Sequence, residues 1–402
     1  LKERTMAVAI TASRTEIAKD ILRTLISFDT VSAKPNLPLA EWVRDYLTSH
    51  GVEVHMLPAE DGIHANLFAT IGPQGASGIG LSGHMDVVPV TGQPWDTDPF
   101  EMVERDGRLY GRGTCDMKGY LACVLAMVPE FKARALATPI HIVFSYDEEV
   151  GCTGVKPMIA EFGGKLPKPR IVVVGEPTNM TVVDAHKGGS RFITEVIGKD
   201  AHSSKPQLGV GAIRIAGELI HELGRIEARY KAEHPNPRFD PPYASITVSS
   251  IEGGIAHNIL PPLCRFRWGV RTLPGITADN IAAELQAYAE RELLPAMRAI
   301  SPECDIITRR VSLLPAFSSG EGSEATSVAL KLAGQNETFA VSYGTEASHF
   351  EASGSSTVVI GPGSIDQAHK PNEYVEIVEL EKCVNFLEKV ADWAKTTPLP
   401  SN

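Results

Sequence analysis

The segment 139–151 constrains the fold of this chain most, because an apolar run ends there in three consecutive acids. Residues 139–146 have the pattern of a buried strand, and Asp147, Glu148 and Glu149 follow it directly. Like charges this close repel one another, and a strand end that packs on a core cannot solvate all three. We therefore expect a cation or a retained proton at this strand end, and a divalent cation is the simplest answer.

Other apolar runs alternate with segments of helical periodicity along the first part of the chain. Further strands are predicted at 65–71, 79–88 and 170–175, and helices at 17–26, 39–50 and 117–134. Several of the strand segments are apolar along their whole length, which is typical of strands that are buried on both sides. The pattern predicts an α/β fold in which helices cover both faces of a mixed sheet.

The pattern changes near residue 188, which indicates a second domain. A β-α-β-β-α unit follows, with a helix at 210–230 and another at 278–297. We predict an inserted α+β domain over 188–297. The catalytic domain would then comprise 1–187 and 298–402.

Carboxylates and histidines recur where the predicted strands end. His84 and Asp86 end one strand, and their spacing of two places both on one face. Asp116 lies in a glycine-rich turn, Glu176 follows the next strand, and His369 follows a late apolar run. Sites in open α/β sheets form beyond the carboxyl ends of the strands, so we expect these side chains to meet in a metal site.

The types of these side chains narrow the choice of metal. Histidine and carboxylate ligands without cysteine suit zinc, cobalt or manganese. More than four candidate ligands favour two ions, roughly 3.5–4 Å apart, that share a bridging carboxylate. One acid of the Glu148-Glu149 pair could then bind metal while its neighbour acts as a general base.

Composition excludes several classes of protein. The net charge is −11, with 38 Lys+Arg against 49 Asp+Glu, which disfavours nucleic acid and anionic membranes as partners. No segment approaches the ~18 apolar residues of a membrane span. The apolar run at 7–10 is far shorter than the roughly 7–15 residues of a signal peptide. Because the six cysteines form no CxxC pair, we expect a reducing, cytoplasmic location.

Five motifs together resemble the M20 family of two-zinc amidohydrolases, and they follow the order of that family over nearly the whole chain. The motifs are His84-Met-Asp86, Asp116-Met-Lys-Gly, Asp147-Glu-Glu-Val-Gly151, Gly175-Glu-Pro-Thr178 and Ala368-His-Lys-Pro371. Each motif alone is weak evidence, whereas five in order are specific. The resemblance implies a catalytic domain of the two-zinc aminopeptidase type and an inserted ferredoxin-like lid and dimerisation domain.

The resemblance also implies roles for individual residues. Asp86 would orient His84, and Glu148 would carry a proton from the attacking water to the leaving amine. A cis peptide bond is implied between Asp116 and Met117. The implied ligands of two zinc ions, which cobalt can replace, are His84, Asp116 and Glu176 for one ion and Asp116, Glu149 and His369 for the other, with Asp116 bridging.

The inserted domain would supply contacts to the substrate. His202 resembles a histidine that reaches the active site of the partner subunit and stabilises the oxyanion there. Asn258 and Arg271 resemble lid residues that contact substrate, and Arg271 can form a forked pair with a carboxylate. Outside this domain, Glu346 could meet a distal ammonium group, although a local hydrogen bond explains this acid equally well. The resemblance implies a homodimer formed through this domain.

Within the family, the chain is most similar to members that deacetylate N-acetyl-L-ornithine in arginine biosynthesis. This closer similarity lies in the segments 27–32, 93–100, 201–204, 237–243 and 344–347. The expected products are L-ornithine and acetate. One alternative is another enzyme of the family: a succinyl-diaminopimelate desuccinylase, a general N-acyl amino acid hydrolase or a dipeptidase. Two further alternatives are an inactive relative that only binds its ligand and a metal-free hydrolase with paired carboxylates.

Overall fold

A computed structural model describes residues 13–398 of the 402-residue chain. The apolar run at 7–10 lies outside the described residues. The helices are α1 (Arg14–Ile26), α2 (Leu37–Ser49), α3 (Lys118–Ala126), α4 (Val128–Ala133), α5 (Val155–Ala160), α6 (Ala212–Glu233), α7 (Ala278–Tyr288), α8 (Leu294–Ile300), α9 (Glu324–Ala333), α10 (Ala347–Ala352) and α11 (Ile377–Thr396).

The strands are β1 (Val54–Pro58), β2 (Ala65–Ile71), β3 (Ile79–His84), β4 (Val103–Arg105), β5 (Arg108–Tyr110), β6 (Ile140–Ser145), β7 (Ile171–Val174), β8 (Val183–His186), β9 (Gly188–Ile197), β10 (Ser245–Gly253), β11 (Leu263–Thr272), β12 (Asp305–Leu314), β13 (Phe317–Ser318), β14 (Phe339–Val341), β15 (Ser356–Val359) and β16 (Tyr374–Glu376). The described residues form two compact units. The first comprises 13–183, 319–338 and 349–398, and the second comprises 184–318 and 339–348.

The first unit is built around a mixed sheet with the strand order β1-β2-β6-β3-β7-β15. Strand β3 is parallel to β6 and β7, whereas β2 is antiparallel to β6. Every residue of β2, β3, β6 and β7 is buried. Because successive side chains face opposite sides of a sheet, burial at every position means that both faces are covered. The predicted α/β fold is confirmed, and the parallel strands β3, β6 and β7 end at the same edge.

A small antiparallel sheet joins two distant parts of the first unit. Strand β5 pairs with β4 on one side and with β16 on the other. In this pairing Tyr110 lies opposite Tyr374. The segment that leads to Asp116 therefore runs beside the segment that follows His369.

The second unit contains an antiparallel sheet with the strand order β10-β11-β9-β12. Burial alternates along β11, as expected when one face of a sheet packs on helices. The element order β9-α6-β10-β11-α7-α8-β12 is a β-α-β-β-α-β arrangement, and the predicted ferredoxin-like fold is confirmed. The predicted insert, 188–297, ends before β12, which pairs with β9 and supplies the last strand of this sheet.

Two helices that were predicted as continuous are interrupted. The segment predicted at 117–134 divides into α3 and α4, with Pro129 in the first turn of α4. The segment predicted at 278–297 contains a π-helical turn, Ala289–Leu293, before α8 and Pro295. Proline has no N–H group to donate, which favours a break in the helix before it. Hydrophobic periodicity alone does not detect such breaks and predicts each segment as one helix. Within residues 13–398, none of the helices is long and apolar enough to cross a membrane.

Candidate metal centre

His84 is the last residue of β3, and its side chain is buried. Its Nδ1 atom lies 2.9 Å from the carbonyl oxygen of Asp86. A carbonyl oxygen only accepts hydrogen bonds, so Nδ1 carries the proton in the neutral ring. The other ring nitrogen, Nε2, faces the Oδ1 atom of Asp116, 3.1 Å away. This arrangement leaves Nε2 of His84 suited to bind a metal ion.

Asp116 lies between two imidazoles, in the turn that connects β5 to α3. Its Oδ1 atom faces Nε2 of His84 at 3.1 Å, and its Oδ2 atom faces Nε2 of His369 at 3.2 Å. Each carboxylate oxygen therefore serves a different histidine, which is the geometry of a bridging ligand. The Asp116–Met117 peptide bond is cis, as the family resemblance implied.

Glu148 and Glu149 follow β6, and the carboxylate of Asp86 holds their backbone. Oδ1 of Asp86 accepts from the amide of Glu148 at 3.2 Å, and Oδ2 accepts from the amide of Glu149 at 3.3 Å. Ser32 donates its hydroxyl to the same Oδ2 atom at 2.6 Å. Asp147 adopts a left-handed conformation with φ of 57°, so the chain turns sharply before the two glutamates. Asp86 thus fixes this turn in addition to contacting His84.

Glu176 and His369 complete the cluster from two other segments. Glu176 follows β7, and its Oε1 atom lies 3.9 Å from Nε2 of His84. His369 lies in the loop before β16, and its Nε2 atom is 3.0 Å from Oε2 of Glu149. The other carboxylate oxygen of Glu149, Oε1, is buried and has no hydrogen-bond partner among the described residues. A buried anionic oxygen without a partner is a position that a cation would satisfy.

The structure brings all five predicted ligands and Glu148 into one cluster. Two groups have ligand atoms within 4.8 Å of one another: His84, Asp116 and Glu149, and His84, Glu148 and Glu176. These groups divide the side chains differently from the predicted ligand sets. The contacts between individual side chains agree better with the predicted ligand sets, because one oxygen of Asp116 faces His84 and the other faces His369.

The three glutamates of this cluster resist ionisation. Burial raises the pKa of Glu148 to about 8. Burial, together with the nearby Asp116 carboxylate, raises the pKa of Glu149 to about 7. Burial likewise raises the pKa of Glu176 well above its usual range. These shifts share one physical cause, since several carboxylates are withdrawn from water within a few ångströms of one another.

The histidines show the opposite tendency and hold their protons. Hydrogen bonds to Asp116 and Glu149 raise the pKa of His369 to about 10. Burial disfavours the cation of His84, yet hydrogen bonds to Asp116 and Asp86 raise its pKa well above the usual range. The three glutamates and both histidines are shifted toward the protonated form, so these side chains favour additional positive charge. A divalent cation would supply that charge.

The predicted substrate contacts all belong to the second unit. His202 is exposed, and its Nδ1 atom lies 2.8 Å from the hydroxyl of Ser204. Asn258 is exposed nearby, and its carbonyl accepts from the amide of Ser203 at 2.9 Å. Arg271 lies on β11 and is exposed, whereas Glu346 is buried. The roles of these four residues stay predictions.

The sequence interpretation missed buried polar residues that surround the cluster. Arg112 and Glu373 form an ion pair in which each side chain is only 1% exposed. Glu373 also accepts hydrogen bonds from the turn that carries Asp116. The available signal was an arginine and a glutamate, each only a few residues from a predicted ligand. Their pairing depends on contacts between distant segments, which a single sequence does not reveal.

Known proteins are similar to this chain over nearly its whole length. The profile described as peptidase family M20/M25/M40 matches residues 80–393. The acetylornithine deacetylase of Myxococcus xanthus is 34% identical over 380 residues, which cover 92% of this chain and 95% of the relative. The acetylornithine deacetylase of Buchnera aphidicola (subsp. Acyrthosiphon pisum, strain 5A) is 31% identical over 379 residues, covering 92% and 96%.

Solved structures share the fold at lower sequence identity. Aminopeptidase PepT from Bacillus cereus aligns with a TM-score of 0.72 at 20% identity, covering 94% of this chain and 98% of PepT. The YXEP protein of Bacillus subtilis, described as a dinuclear metal-binding peptidase, aligns with a TM-score of 0.68 at 14% identity, covering 94% and 97%.

Proposed function

This chain belongs to peptidase family M20/M25/M40, and we propose that it hydrolyses N-acetyl-L-ornithine to L-ornithine and acetate. The chain is a metal-dependent amidohydrolase, as its match to the family and to acetylornithine deacetylases indicates. The observation that carries the proposal is the placement of Asp116 between two histidines, with Glu148 and Glu149 beside them. The choice of substrate rests on the relatives, which align over 92% of the chain.

The donor set fits two zinc ions, for which cobalt can substitute. The ligands of one ion would be His84, Asp116 and Glu176, and those of the other would be Asp116, Glu149 and His369. The unpartnered oxygen of Glu149 supports this assignment. When bound, such ions supply positive charge that acidifies a water molecule and polarises the carbonyl group of the substrate.

Glu148 is the proposed general base. Its backbone is held by Asp86, and its Oε1 atom accepts from the thiol of Cys152 at 3.0 Å. The second carboxylate oxygen can then receive a proton from the attacking water. Glu148 would pass that proton to the departing amine nitrogen, so that one residue serves both steps.

The second unit is proposed to recognise the substrate. Arg271 would pair with the α-carboxylate and Glu346 with the distal ammonium group, while Asn258 contacts the acyl amide. His202 would donate to the oxyanion in the site of a partner subunit, which requires a homodimer formed through this unit. These roles, together with a cytoplasmic location in arginine biosynthesis, are supported by the similarity to acetylornithine deacetylases.

A substrate panel tests the proposal directly. The protein is freed of metal with a chelator, reconstituted with zinc or cobalt, and assayed with N-acetyl-L-ornithine, N-succinyl-LL-diaminopimelate and a set of dipeptides. We expect the highest kcat/KM with N-acetyl-L-ornithine. N-acetyl-L-norvaline, which lacks only the distal amine, is the matched control and should be hydrolysed less efficiently, because Glu346 would lose its partner.

Each alternative function predicts a different result in this panel. Strong activity on another substrate with none on N-acetyl-L-ornithine would indicate a different enzyme of the family. Zinc binding without turnover of any substrate would indicate an inactive binding protein. Full activity after complete removal of metal would indicate a metal-free hydrolase and would contradict the proposed chemistry.

A further inference from the structure

A buried glutamate holds the turn that carries Asp116. The Oε1 atom of Glu373 accepts hydrogen bonds from three backbone amides, those of Gly113 at 3.1 Å, Cys115 at 2.9 Å and Asp116 at 3.1 Å. The backbone carbonyl of Glu373 also accepts from the amide of Gly111 at 3.0 Å. Hydrogen bonds from backbone amides to a carboxylate are strong because the acceptor is charged. Glu373 therefore fixes the backbone from which the Asp116 side chain projects.

The charge of Glu373 is compensated by a buried arginine. Its Oε2 atom accepts from Nη1 of Arg112, and both side chains are only 1% exposed. Arg112 also lies over the ring of Trp95, with its guanidinium carbon 5.2 Å from the ring centre. A buried ion pair requires both partners, since either one alone would be an uncompensated charge. Arg112 thus holds the carboxyl group of Glu373 in place.

The same arginine connects the turn to the loop of His369 through Gln93. Nη2 of Arg112 donates to Oε1 of Gln93 at 2.6 Å, and Nε1 of Trp95 donates to that oxygen at 3.1 Å. These two donors orient the amide of Gln93. Its Nε2 atom then donates to the carbonyl oxygen of His369 at 2.8 Å. Arg112 also donates from Nη1 to the carbonyl oxygen of Lys370 at 3.4 Å. The network therefore reaches the Asp116 turn through Glu373 and the His369 loop through Gln93 and Arg112.

We propose that Glu373, Arg112 and Gln93 form a positioning network that sets metal affinity, with Glu373 acting on Asp116 and Gln93 acting on His369. The inference rests on the proposed function, because it assumes that Asp116 and His369 bind metal. None of the three network residues is a ligand in the proposed sets. Their effect is to hold the ligand backbone in the binding geometry, so that less order has to be gained when an ion binds.

The two arms of the network predict different effects on two ions. Asp116 is the proposed bridging ligand, so a change at Glu373 should weaken both ions. His369 belongs to one ligand set only, so a change at Gln93 should weaken one ion and leave the other unchanged. Partners in an outer shell of this kind contribute about 10–100-fold to metal affinity.

The test is a competition titration of the metal-free, full-length protein with zinc against a chromophoric chelator. Glu373→Gln should lower the affinity for both ions by about 10–100-fold. Glu376→Gln is the matched control, because it breaks the Arg108–Glu376 ion pair between the same two segments without touching the Asp116 turn. Its two affinities should equal those of the wild type. Equal zinc affinities in Glu373→Gln and the wild type would overturn the proposal.

Gln93→Glu provides a second variant that does not unpair a buried charge. The new carboxylate can still accept from Arg112 and Trp95 but cannot donate to the carbonyl of His369. Only one of the two zinc affinities should fall, and Gln93→Ala should have the same effect. Unchanged affinities in both Gln93 variants would overturn this arm. The unfolding temperature of each metal-free variant shows whether that variant is folded. If Glu373→Gln is misfolded, the zinc affinities of Gln93→Glu test the positioning network.

Failure of the proposed function gives a different pattern. If the wild type itself binds no zinc, the metal site proposed above is wrong and the network has no role toward it. If the wild type binds two zinc ions and all network variants bind them equally well, only the positioning network is wrong.

Discussion

The two histidines of the cluster have opposite surroundings. His84 ends a fully buried strand, and its side chain is 1% exposed, whereas the side chain of His369 is 54% exposed and lies on a loop with φ of 62°. The sheet therefore positions the first histidine, while hydrogen bonds from neighbouring segments must position the second. One half of the centre is therefore part of the core, and the other half depends on contacts between loops.

The largest effect is expected from Glu148, the proposed general base, which belongs to neither proposed ligand set. Glu148→Ala should lower kcat by about 10²–10⁴-fold, because no other group would take up the proton of the attacking water. Both zinc ions should still bind, which metal analysis of the purified variant would measure. Glu148→Gln keeps the shape and should be equally inactive. Loss of one ion in both variants would instead identify Glu148 as a ligand, as its grouping with His84 and Glu176 would allow.

Replacing each histidine in turn tests whether the two halves of the centre differ. His84→Asn and His369→Asn should each lose one zinc ion. The His84 variant should also unfold more easily, by about 1–3 kcal/mol, because the buried Asp86 carbonyl would lose its partner. Water can replace much of the exposed His369 imidazole, so its loss should be smaller. Chemical denaturation of both metal-free variants provides the measurement, and equal destabilisation would show that the two halves do not differ.

A smaller effect is expected at Asp86, which supports the buried half. Oδ1 of Asp86 accepts from the amide of Glu148, and Oδ2 accepts from Ser32 and from the amide of Glu149. Asp86→Asn replaces one of these oxygens with an NH₂ group, which cannot accept. We expect about a 10–100-fold loss of kcat/KM or zinc affinity. Ser32→Ala removes only one of these contacts and should have a weaker effect. If Ser32→Ala proved the more damaging change, the anchoring of the two glutamate amides would not be the role of Asp86.

The smallest effect is expected from His64 and Asp61, which should make the stability of the protein depend on pH. His64 stacks on Tyr146 at 5.3 Å, and its Nδ1 atom lies 2.6 Å from Oδ2 of Asp61. Burial disfavours the His64 cation, but hydrogen bonds to Asp61 and to the Lys34 carbonyl raise its pKa above 6.5. The hydrogen bond with His64 lowers the pKa of Asp61 to about 2.

These directions define the pH window of the pair. The histidine contributes stability that is complete below pH 6.5 and is lost as the pH rises through its folded pKa. The aspartate contributes stability above pH 3.8 that is lost as the pH falls toward 2. His64→Gln should therefore lower the unfolding temperature more at about pH 5.5 than at about pH 9. Asp61→Asn should show the same trend, and a pH-independent difference in both variants would contradict this account.

The sequence predicted the buried half of the centre better than the exposed half. His84 ends a strand that is buried along its whole length, and Glu149 and Glu176 come after two others. Their meeting at one sheet edge follows from the direction of parallel strands. Asp116 and His369 are also expected in the site, but neither lies directly at the end of a core strand, so the sequence pattern does not determine how they approach the other ligands. The support of the Asp116 turn by Glu373 was not predictable, because it depends on the pairing of β5 with β16.

The same difference holds for the fold: features that depend on nearby residues were predicted, and features that depend on pairing between distant segments were not. The predicted strand at 65–71 coincides with β2, because apolar periodicity is a local property. The last strand of the ferredoxin-like sheet, β12, was left outside the predicted insert. Its membership depends on pairing with β9, more than a hundred residues earlier in the chain. Local pattern predicts such elements well, but it does not tell which sheet they join.

A zinc titration of the wild type and of Asp116→Asn measures whether Asp116 bridges two ions. The two oxygens of Asp116 face different histidines, at 3.1 and 3.2 Å, so both ions should depend on this residue. We predict two zinc ions per wild-type chain and the loss of both high-affinity sites in the variant. Two ions bound with unchanged affinity in Asp116→Asn, or a single ion in the wild type, would contradict a centre bridged by Asp116.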